Sequence, residues 1–231
     1  MRIDIWSDVV CPWCWIGKHR FQRGVELLGD DAPALEVHWH PFQLDPEAGT
    51  DPVPLRQALA AKFGGGERVS QMLAGTQAAA RAEGLPMDFD AGQVQVSTLD
   101  AHRLLWLAAR EGDAGAVGEA LFRAHFVDGR NLAGRDTLVA AGAAGGLTAA
   151  RVDALLAGDE GLAEVRADIA QAQSMGIRAV PTFVIDGRYA VQGGQPPEVF
   201  AQALRQAQAD APAAAAQPAP DQACGPEGCS V

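Results

Sequence analysis

The chain has 231 residues, 48% of them hydrophobic and 20% charged, with a formal net charge of −11 at pH 7. This length is large for one minimal domain and small for two large ones, so we expect one core with a sizeable insertion. The acidic charge argues against nucleic acid or an anionic membrane as the main partner, since both require basic patches.

The N-terminal segment Met1–Asp8 has no continuous apolar run before its first acidic residue and no cleavage site, unlike a secretory signal. No segment offers the ~20 uninterrupted apolar residues of a membrane span. We therefore expect a cytoplasmic protein with no membrane partner. Structural disulfides are rare in the cytoplasm, so paired cysteines there indicate catalysis or metal binding.

The first elements along the chain form a strand–helix–strand pattern. Alternating residues predict a strand over Arg2–Ser7, and an apolar face predicts a helix from about Pro12 to Leu28. A second strand follows over Leu35–His40 and ends at Pro41. This order within about 40 residues is typical of a parallel βαβ unit.

The stretch from Pro52 to Met175 shows helical patterns only. A capping-box-like start, Ser97–Asp100, precedes the clearest of these helices. The predicted helices lie near Leu55–Phe63, Arg68–Glu83, Ala101–Ala109, Ala116–Phe126, Thr137–Ala144, Ala149–Leu156 and Leu162–Ala172.

Strands return near the C-terminus. Thr182–Ile185 and Tyr189–Gln192 flank a tight-turn sequence, Asp186-Gly187-Arg188, which predicts a hairpin, and a last helix follows. The order βαβ, helical block, ββα predicts an α/β, thioredoxin-like fold with an inserted α-helical domain. We assign residues 1–51 and 176–209 to the core and 52–175 to the insertion. Residues 210–231, rich in alanine and proline, are predicted to form a flexible tail.

The segment Cys11-Pro12-Trp13-Cys14 opens the first predicted helix. Two thiols at this spacing lie on one turn, close enough to form a disulfide. The unpaired N–H groups and the positive dipole end of the helix favour a thiolate at the first cysteine, and thiolate is the form that attacks disulfides. The alternative is a zinc half-site, but Pro-Trp suits helix entry better than a metal knuckle. The motif predicts a redox site.

Four segments in this order resemble the DsbA family of thiol–disulfide oxidoreductases, and within it the FrnE-like branch. The resemblance spans residue 1 to about 208. The segments are Asp8–Trp15, Trp39–Leu44, Asp100–Leu104 and Gly176–Val184.

The resemblance implies roles for individual residues. Cys11 is expected to be the exposed attacking thiolate and Cys14 the resolving thiol. The Val180–Pro181 bond is expected to be cis and to lie opposite the cysteines, where the backbone of Val180 can pair with a bound peptide. An ordinary trans proline is the alternative.

Two residues between the cysteines are expected to support substrate binding. Pro12 starts the helix, and Trp13 must stay near the surface for the disulfide to be reached. The indole of Trp13 then offers an apolar platform for unfolded polypeptide.

Several polar residues near these motifs have open roles. Asp8 is either a proton acceptor for Cys14 or, more commonly for such a position, a loop or capping acid. His38 and His40 share one strand face, but two histidines without a third ligand are more often packing or surface residues, so we predict no metal. His102 is expected to form an interdomain hydrogen bond.

The tail carries a second pair, Cys224 and Cys229, in a CX4C spacing. The 18-residue linker Gln206–Ala223 spans about 25 Å if it behaves as a flexible coil. One hypothesis is that this pair exchanges with Cys11 as an internal electron relay. The alternatives are a zinc bound by four thiolates, a tail that serves an oligomeric partner, and a tail without a role.

We therefore expect a cytoplasmic protein thiol–disulfide oxidoreductase or isomerase that acts on cysteine-containing clients, in oxidative-stress defence. We expect no cofactor other than the redox-active disulfide. Glutathione or a thioredoxin-type protein is the expected reductant. The FrnE-like branch also implies work in a polyketide pathway. A second candidate is a glutathione-dependent isomerase or transferase of the hydroxychromene-carboxylate isomerase or kappa type, which typically has serine in place of Cys11. A third is a chaperone or zinc-holding module.

Overall fold

The computed structural model describes residues 1–210. Its first elements form a parallel βαβ unit. Strand β1 covers Arg2–Ser7, helix α1 covers Pro12–Glu26, and strand β2 covers Glu36–Pro41. Ile5 of β1 lies opposite Trp39 of β2 in the parallel register. The helix is two residues shorter than predicted.

Nine elements lie between β2 and the C-terminal hairpin. They are β3 (Val53–Pro54), α2 (Leu55–Phe63), α3 (Gly66–Ala82), β4 (Val94–Gln95), α4 (Leu99–Glu111), α5 (Ala114–Phe126), α6 (Arg135–Ala144), α7 (Ala149–Ala157) and α8 (Leu162–Ser174). The prediction that this stretch holds only helices is wrong, because β3 and β4 pair antiparallel. Two-residue strands are too short to leave an alternating pattern in the sequence.

The C-terminal elements complete the main sheet. They are β5 (Thr182–Ile185), β6 (Tyr189–Gln192) and α9 (Pro197–Ala209). The four strands are ordered β2-β1-β5-β6, with β5 antiparallel to both β1 and β6. The turn between β5 and β6 uses positive φ at Asp186 (48°) and Gly187 (66°), as a tight hairpin turn requires. The predicted thioredoxin-like fold with a helical insertion is confirmed.

One face of the sheet packs against α1 and α9. Ile3, Ile5 and Phe183 from the strands share a buried cluster with Phe200 of α9. The two helices approach closely at Gly24, where a Cβ atom would lie 2.8 Å from the carbonyl oxygen of Pro197. On the other face, Trp6 packs near α8. The sheet is therefore covered by helices on both sides.

The helical insertion has a hydrophobic cluster of its own and also packs against the start of α1. The first cluster includes Leu104, Leu107 and Leu121. At the start of α1, the ring of Trp15 stacks on Phe126 of α5 with centroids 5.9 Å apart. Because Trp15 follows Cys14 directly, this contact brings the insertion up to the cysteine pair.

The prediction of a capping box at Ser97–Asp100 is wrong, because the N-cap residue of α4 is Thr98 and its side chain makes no cap hydrogen bond. The backbone N–H of Leu99 instead lies 3.4 Å from Ser97 Oγ.

The predicted domain boundaries stay predictions. None of the helices within residues 1–210 is long and apolar enough to cross a membrane.

Candidate active site

Cys11 lies at the N-cap of α1, and Pro12 occupies the first position of the helix. The backbone N–H of Cys11 donates to the carbonyl of Asp8 at 3.0 Å, and that of Cys14 donates to the carbonyl of Cys11 at 3.0 Å. Proline suits this position because its fixed φ fits the helix and it lacks an N–H that would be unpaired there. The sequence prediction of two thiols on the first helical turn is therefore confirmed.

The expectation of an exposed Cys11 is wrong. The residue is 4% exposed, and Cys14 is 1% exposed. Both belong to a buried apolar cluster that includes Val69 and Leu73 of α3, which lies in the insertion. Residues of the insertion therefore share one buried cluster with both cysteines, and this packing between distant segments has no signal near the motif.

The Val180–Pro181 peptide bond is cis, as expected. The Cys11 thiol lies 3.7 Å from the carbonyl oxygen of Val180, within hydrogen-bond range for sulfur. Helix α1 packs directly on the proline, since a Cβ atom on Gly17 would lie 2.9 Å from Pro181 Cγ. The cis-proline loop thus forms one wall beside the Cys11 thiol.

Trp13 is 39% exposed, in agreement with its expected surface position. A Cβ atom on Gly194 would lie 3.3 Å from the indole, so the ring rests close to the backbone that follows β6. The exposed part of the indole lies within one helical turn of both cysteines.

Cys14 is held as a neutral thiol. Burial and the neighbouring Cys11 raise the pKa of Cys14 well above the ordinary 9.0, while hydrogen bonds from the Ser7 hydroxyl and the Asp8 backbone act in the opposite direction. A thiol must lose its proton before it can attack a disulfide, so this raised pKa leaves Cys14 a weak nucleophile at neutral pH.

Asp8 is buried beside the cysteine turn. One carboxylate oxygen, Oδ2, accepts a hydrogen bond from the Leu44 backbone at 2.8 Å. The other, Oδ1, lies 3.3 Å from His102 Nε2. His102 Nε2 also lies 2.9 Å from the carbonyl of Phe42. A carbonyl only accepts, so His102 carries a proton at Nε2, and its expected hydrogen bond between insertion and core is confirmed.

His125 of α5 is a functional candidate that the sequence analysis missed. It is 1% exposed, and neither ring nitrogen has a hydrogen-bond partner in the described part of the chain. Burial lowers its pKa to about 4, although the charge of Asp8 acts to raise it. Val117, Leu121 and His125 repeat every four residues along the buried face of α5, a pattern that could have shown its burial.

A second missed residue, Glu119 of α5, anchors α1. It pairs with Lys18 and accepts a hydrogen bond from Trp15 Nε1 at 3.0 Å. His19 Nε2 lies 3.7 Å away. Burial raises the pKa of Glu119, but its interactions with His19, Lys18 and Trp15 outweigh burial and lower that pKa to about 2.

His38 and His40 do not form a metal pair with each other. Nε2 of His38 lies 2.8 Å from Glu36, and Nε2 of His40 lies 2.8 Å from Asp4. The ring of His40 also stacks on Trp6. Residues 1–210 contain no group of three or more His, Cys, Asp or Glu side chains arranged to hold a metal ion. Cys224 and Cys229 lie outside the described residues.

A cavity of about 770 Å³ lies between β2 and the insertion. Its wall includes Ser7, Lys18 and His102 on the side towards the cysteines, and Trp106 and Phe122 from the insertion. Neither cysteine of the described chain lines it. The size is typical of small-molecule pockets.

Comparison with known proteins identifies the family. The family model of the DSBA-like thioredoxin domain matches residues 2–205. The chain belongs to this family. A crystal structure of a probable DsbA oxidoreductase from Streptomyces coelicolor is 38% identical, with a TM-score of 0.86, over 100% of this chain and 99% of that one. The resemblance to the DsbA family is therefore confirmed.

Two further similarities to this DsbA-like chain are more limited. The cytosolic disulfide reductase DsbM of Pseudomonas aeruginosa, solved with GSH, shares the fold at a TM-score of 0.61 and 21% identity, over 90% of this chain and 100% of that one. An uncharacterized protein of Bacillus subtilis, YwbO, is 40% identical over 55 residues. That match covers 23% of this chain and only 25% of the relative's length.

Proposed function

We propose that this DsbA-like protein is a thiol–disulfide oxidoreductase or isomerase for cysteine-containing client proteins. The observation that carries the proposal is the placement of Cys11. Its thiol sits at the start of α1, 3.7 Å from the carbonyl of Val180, with Cys14 on the same turn. A reactive thiol beside a backbone acceptor suits a substrate that presents both a sulfur atom and a peptide backbone.

In the proposed reaction, the Cys11 thiolate attacks one sulfur of a client disulfide, and the other client sulfur leaves as a thiolate. Cys14 then loses its proton and attacks Cys11. The Cys11–Cys14 bond forms as the mixed disulfide breaks, so two electrons pass to the client. Run in reverse, the same steps oxidise a dithiol.

Because Cys11 is 4% exposed, a client can reach it only if neighbouring residues move. The buried cluster that contains Cys11 includes Val69 and Leu73 of α3. Helix α2, which packs on α3, buries no residue fully. We infer that α2 and α3 are displaced when a client binds. Helix α2 buries little surface and opens at low free-energy cost, whereas α3 must give up the contacts of its buried residues, which include Val69 and Leu73.

The proposed function is tested by insulin reduction and by refolding of scrambled ribonuclease. We expect Cys11→Ser to abolish both activities. Cys14→Ser should instead accumulate a mixed disulfide with the client, visible as a gel shift that a reductant reverses. Full activity of Cys11→Ser in both assays would contradict the proposal.

The reductant and the tail pair are a second part of the proposal. Glutathione or a thioredoxin-type protein would return Cys11 and Cys14 to thiols, and Cys224 with Cys229 would pass electrons to that centre. The double variant Cys224→Ser/Cys229→Ser is expected to turn over more slowly with the same reductant. Unchanged turnover would contradict the relay.

We also propose that the protein works in the cytoplasm, in defence against oxidative stress. Reducing conditions there suit a Cys11–Cys14 pair that cycles between thiols and disulfide better than one that stays oxidised. The redox state of the pair in cells, trapped with acid and an alkylating agent before and after peroxide treatment, tests this assignment. A pair that stays reduced under peroxide would contradict the stress role.

A glutathione-dependent isomerase is the second candidate, favoured by the cavity of about 770 Å³ lined by Trp106 and Phe122. One variant separates the two functions. An isomerase of the hydroxychromene-carboxylate type is expected to keep its activity in Cys11→Ser, since serine typically stands there in that group. A disulfide oxidoreductase loses its activity in the same variant.

A further inference from the structure

The cavity of about 770 Å³ lies beside the outer edge of β2. Its wall includes each of residues 37 to 41, one after another. Successive side chains of a strand point to opposite faces of the sheet, so a cavity above one face would be lined by every second residue. The unbroken run therefore places the cavity along the edge of the strand. Among residues 1–210, β2 is the outer strand of its sheet and pairs with β1 alone.

The hydrogen bonds of β2 show which of its backbone groups face this cavity. The N–H of Glu36 donates to the carbonyl of Met1, and that of Phe42 donates to the carbonyl of Ser7, each at 3.0 Å. Both acceptors belong to β1 or flank it. Alternate residues of a strand turn their N–H and C=O groups to the same side, so the even-numbered residues of β2 face β1. The odd-numbered residues turn theirs to the free edge.

Two complete sets of backbone groups lie on that free edge, at Val37 and Trp39. Each offers one N–H donor and one C=O acceptor, as the edge of an open sheet does. Pro41 occupies the next outward position. Proline has no N–H, and within sheets it is found where the N–H would point away from the neighbouring strand. The position of Pro41 therefore agrees with the assignment of outward groups.

The facing wall of the cavity is built from small residues of α4 and α5. It includes Ala109, Gly115 and Gly118. A Cβ atom on Gly118 would meet no atom within 4 Å except Leu105 Cδ2, at an ordinary contact distance of 3.6 Å. Glycine and alanine at a wall let a second backbone approach closely. The cavity is thus shaped for main chain on both of its long sides.

The charges on the wall balance. The charged residues are Lys18, Arg110, Asp113 and Asp168, and they carry no formal net charge when the histidines are neutral. A phosphate-rich or strongly anionic ligand would require a basic excess, which this wall lacks. Its charge complements an uncharged stretch of polypeptide, and Phe122 adds apolar surface for side chains.

One end of the cavity reaches the cysteine turn. Ser7 lies opposite Pro41 in the register of β1 and β2, and it lines the cavity. The Ser7 hydroxyl also forms a hydrogen bond with the Cys14 thiol. Val9, two residues before Cys11, belongs to the same wall. A chain that lies along β2 therefore ends or passes next to the residues that lead into the reactive pair.

We propose that the β2 groove, the cavity along residues 37–41, binds an extended and uncharged segment of a client polypeptide as an added strand. The client pairs with the outward backbone groups of Val37 and Trp39. This inference rests on the proposed function and gives it a client-binding site apart from the cis-proline loop. Because backbone pairing recognises an extended chain whatever its sequence, such a groove suits clients that are unfolded.

The first experiment measures binding without any thiol chemistry. Full-length protein is titrated into the fluorescein-labelled, cysteine-free peptide Ala-Val-Thr-Val-Thr-Val-Ala, and fluorescence anisotropy is followed. We expect saturable binding. The same peptide N-methylated at each valine and threonine keeps its side chains but loses those N–H donors, and it should bind at least tenfold more weakly. Equal affinity for the two peptides would overturn the proposal.

The second experiment locates the bound peptide by hydrogen exchange of individual amides, read by NMR. With saturating peptide, the amides of Val37 and Trp39 should exchange at least tenfold more slowly. The amides of His38 and His40 already face β1 and should change little. Slow exchange at Val37 and Trp39 in the protein alone, increasing with protein concentration, would identify a second copy of the chain as the occupant. Protection by glutathione and not by the peptide would identify a small molecule. Either result would overturn the proposal.

Variants connect the groove to activity. Gly118→Leu fills the groove and should weaken peptide binding at least tenfold. Val37→Pro removes one outward donor and no bond to β1, and it should weaken binding severalfold. Gly75→Leu, on the open face of α3, is the matched control and should bind like wild type, since no atom lies within 4 Å of its Cβ position. Unchanged affinity in both groove variants would overturn the proposal.

The final readout separates this inference from the proposed function. Gly118→Leu should lower the rate of insulin reduction relative to that of 2,2′-dipyridyl disulfide, a small disulfide without a peptide chain, at least fivefold. A wild-type ratio in this variant would overturn a role of the groove in client reduction. A wild-type protein that binds the peptide but does not reduce insulin would contradict the proposed function and still support the groove as a peptide site.

Discussion

The indole N–H of Trp15 donates a hydrogen bond to Glu119 Oε1 at 3.0 Å. This bond joins the helix that carries both cysteines to α5 of the insertion. Lys18, one turn further along α1, pairs with the second oxygen of the same carboxylate. The helix that carries both cysteines is thus joined to the insertion by one acidic side chain.

Replacing Glu119 by Gln is expected to destabilise the protein by roughly 1–2 kcal/mol at pH 7. We expect less than the full pKa shift would imply, because the side chain is 31% exposed and screened by solvent. The pKa of Glu119 is lowered from 4.5 to about 2 in the folded protein. Its contribution is therefore present above pH 4.5 and is lost as the pH falls towards 2.

Urea unfolding at pH 7 and pH 3 measures this effect. The stability difference between wild type and Glu119→Gln should shrink at the lower pH. Glu164→Gln, an exposed glutamate on α8, serves as the control and should change little at either pH. A difference that is equal at both pH values would rule out the carboxylate charge as its source.

Gly17→Ala is expected to disturb the contact between α1 and the cis-proline loop. The new Cβ atom would lie 2.9 Å from Pro181 Cγ, so the helix or the loop must shift. We expect a loss of about 1–3 kcal/mol in stability, typical of overpacking, together with lower reductase activity. Thermal unfolding and insulin reduction measure the two effects.

The control for this substitution is Gly75→Ala in α3. No atom lies within 4 Å of the Cβ position there, so alanine should stabilise the helix by roughly 0.5–1 kcal/mol. If both alanine variants gained stability, the close contact at Pro181 would not constrain the site.

Leu73→Ala is expected to increase access to Cys11. Leu73 is buried in the cluster that contains Cys11, and its truncation should cost about 2–5 kcal/mol of stability. Alkylation of Cys11 by a maleimide, quantified on the Cys11 peptide by mass spectrometry, should become several-fold faster. Met72→Ala, one residue away and exposed, should leave the rate unchanged. Equal rates in all three proteins would show that α3 does not control access.

The sequence predicted the parts of this site that depend on local order. The Cys11–Cys14 pair at a helix start and the hairpin at Asp186–Arg188 follow from spacing and turn residues, and the cis bond at Pro181 follows from family resemblance. The first two features are set by neighbours within a few positions, so a single sequence carries their signal, whereas the cis bond was expected only from the resemblance.

The remaining features depend on which distant elements meet. Lys18 and Glu119 are separated by 101 positions, and nothing in either helix indicates that they pair. Cys11 shares its buried cluster with residues of α3, which lies more than 50 positions away in the sequence. Local patterns can place such residues on a buried face, but they do not say which side chain lies opposite.

Ser7→Ala is expected to slow the attack of Cys14. The Ser7 hydroxyl is one of two hydrogen-bonding groups that counteract burial, which is the largest cause of the raised pKa of this thiol. Without the hydroxyl, the pKa should move still higher and less thiolate should form at neutral pH. One such bond contributes roughly 1 kcal/mol, so the attack of Cys14 should slow about fivefold at pH 7. Its rate is measured as the second release of pyridine-2-thione after the reduced protein, with both tail cysteines replaced by serine, is mixed with 2,2′-dipyridyl disulfide.

The raised pKa of Cys14 also makes the stability of the folded protein depend on pH. Since the pKa of Cys14 is raised above the ordinary 9.0, the neutral thiol favours the folded state. That contribution is fully present below pH 9 and is lost as the pH rises further. Ser174→Ala, an exposed serine on α8, is the matched control and should leave both the release rate and the alkaline stability profile unchanged. A release rate in Ser7→Ala equal to that of the control would mean that the hydroxyl does not act on the resolving thiol.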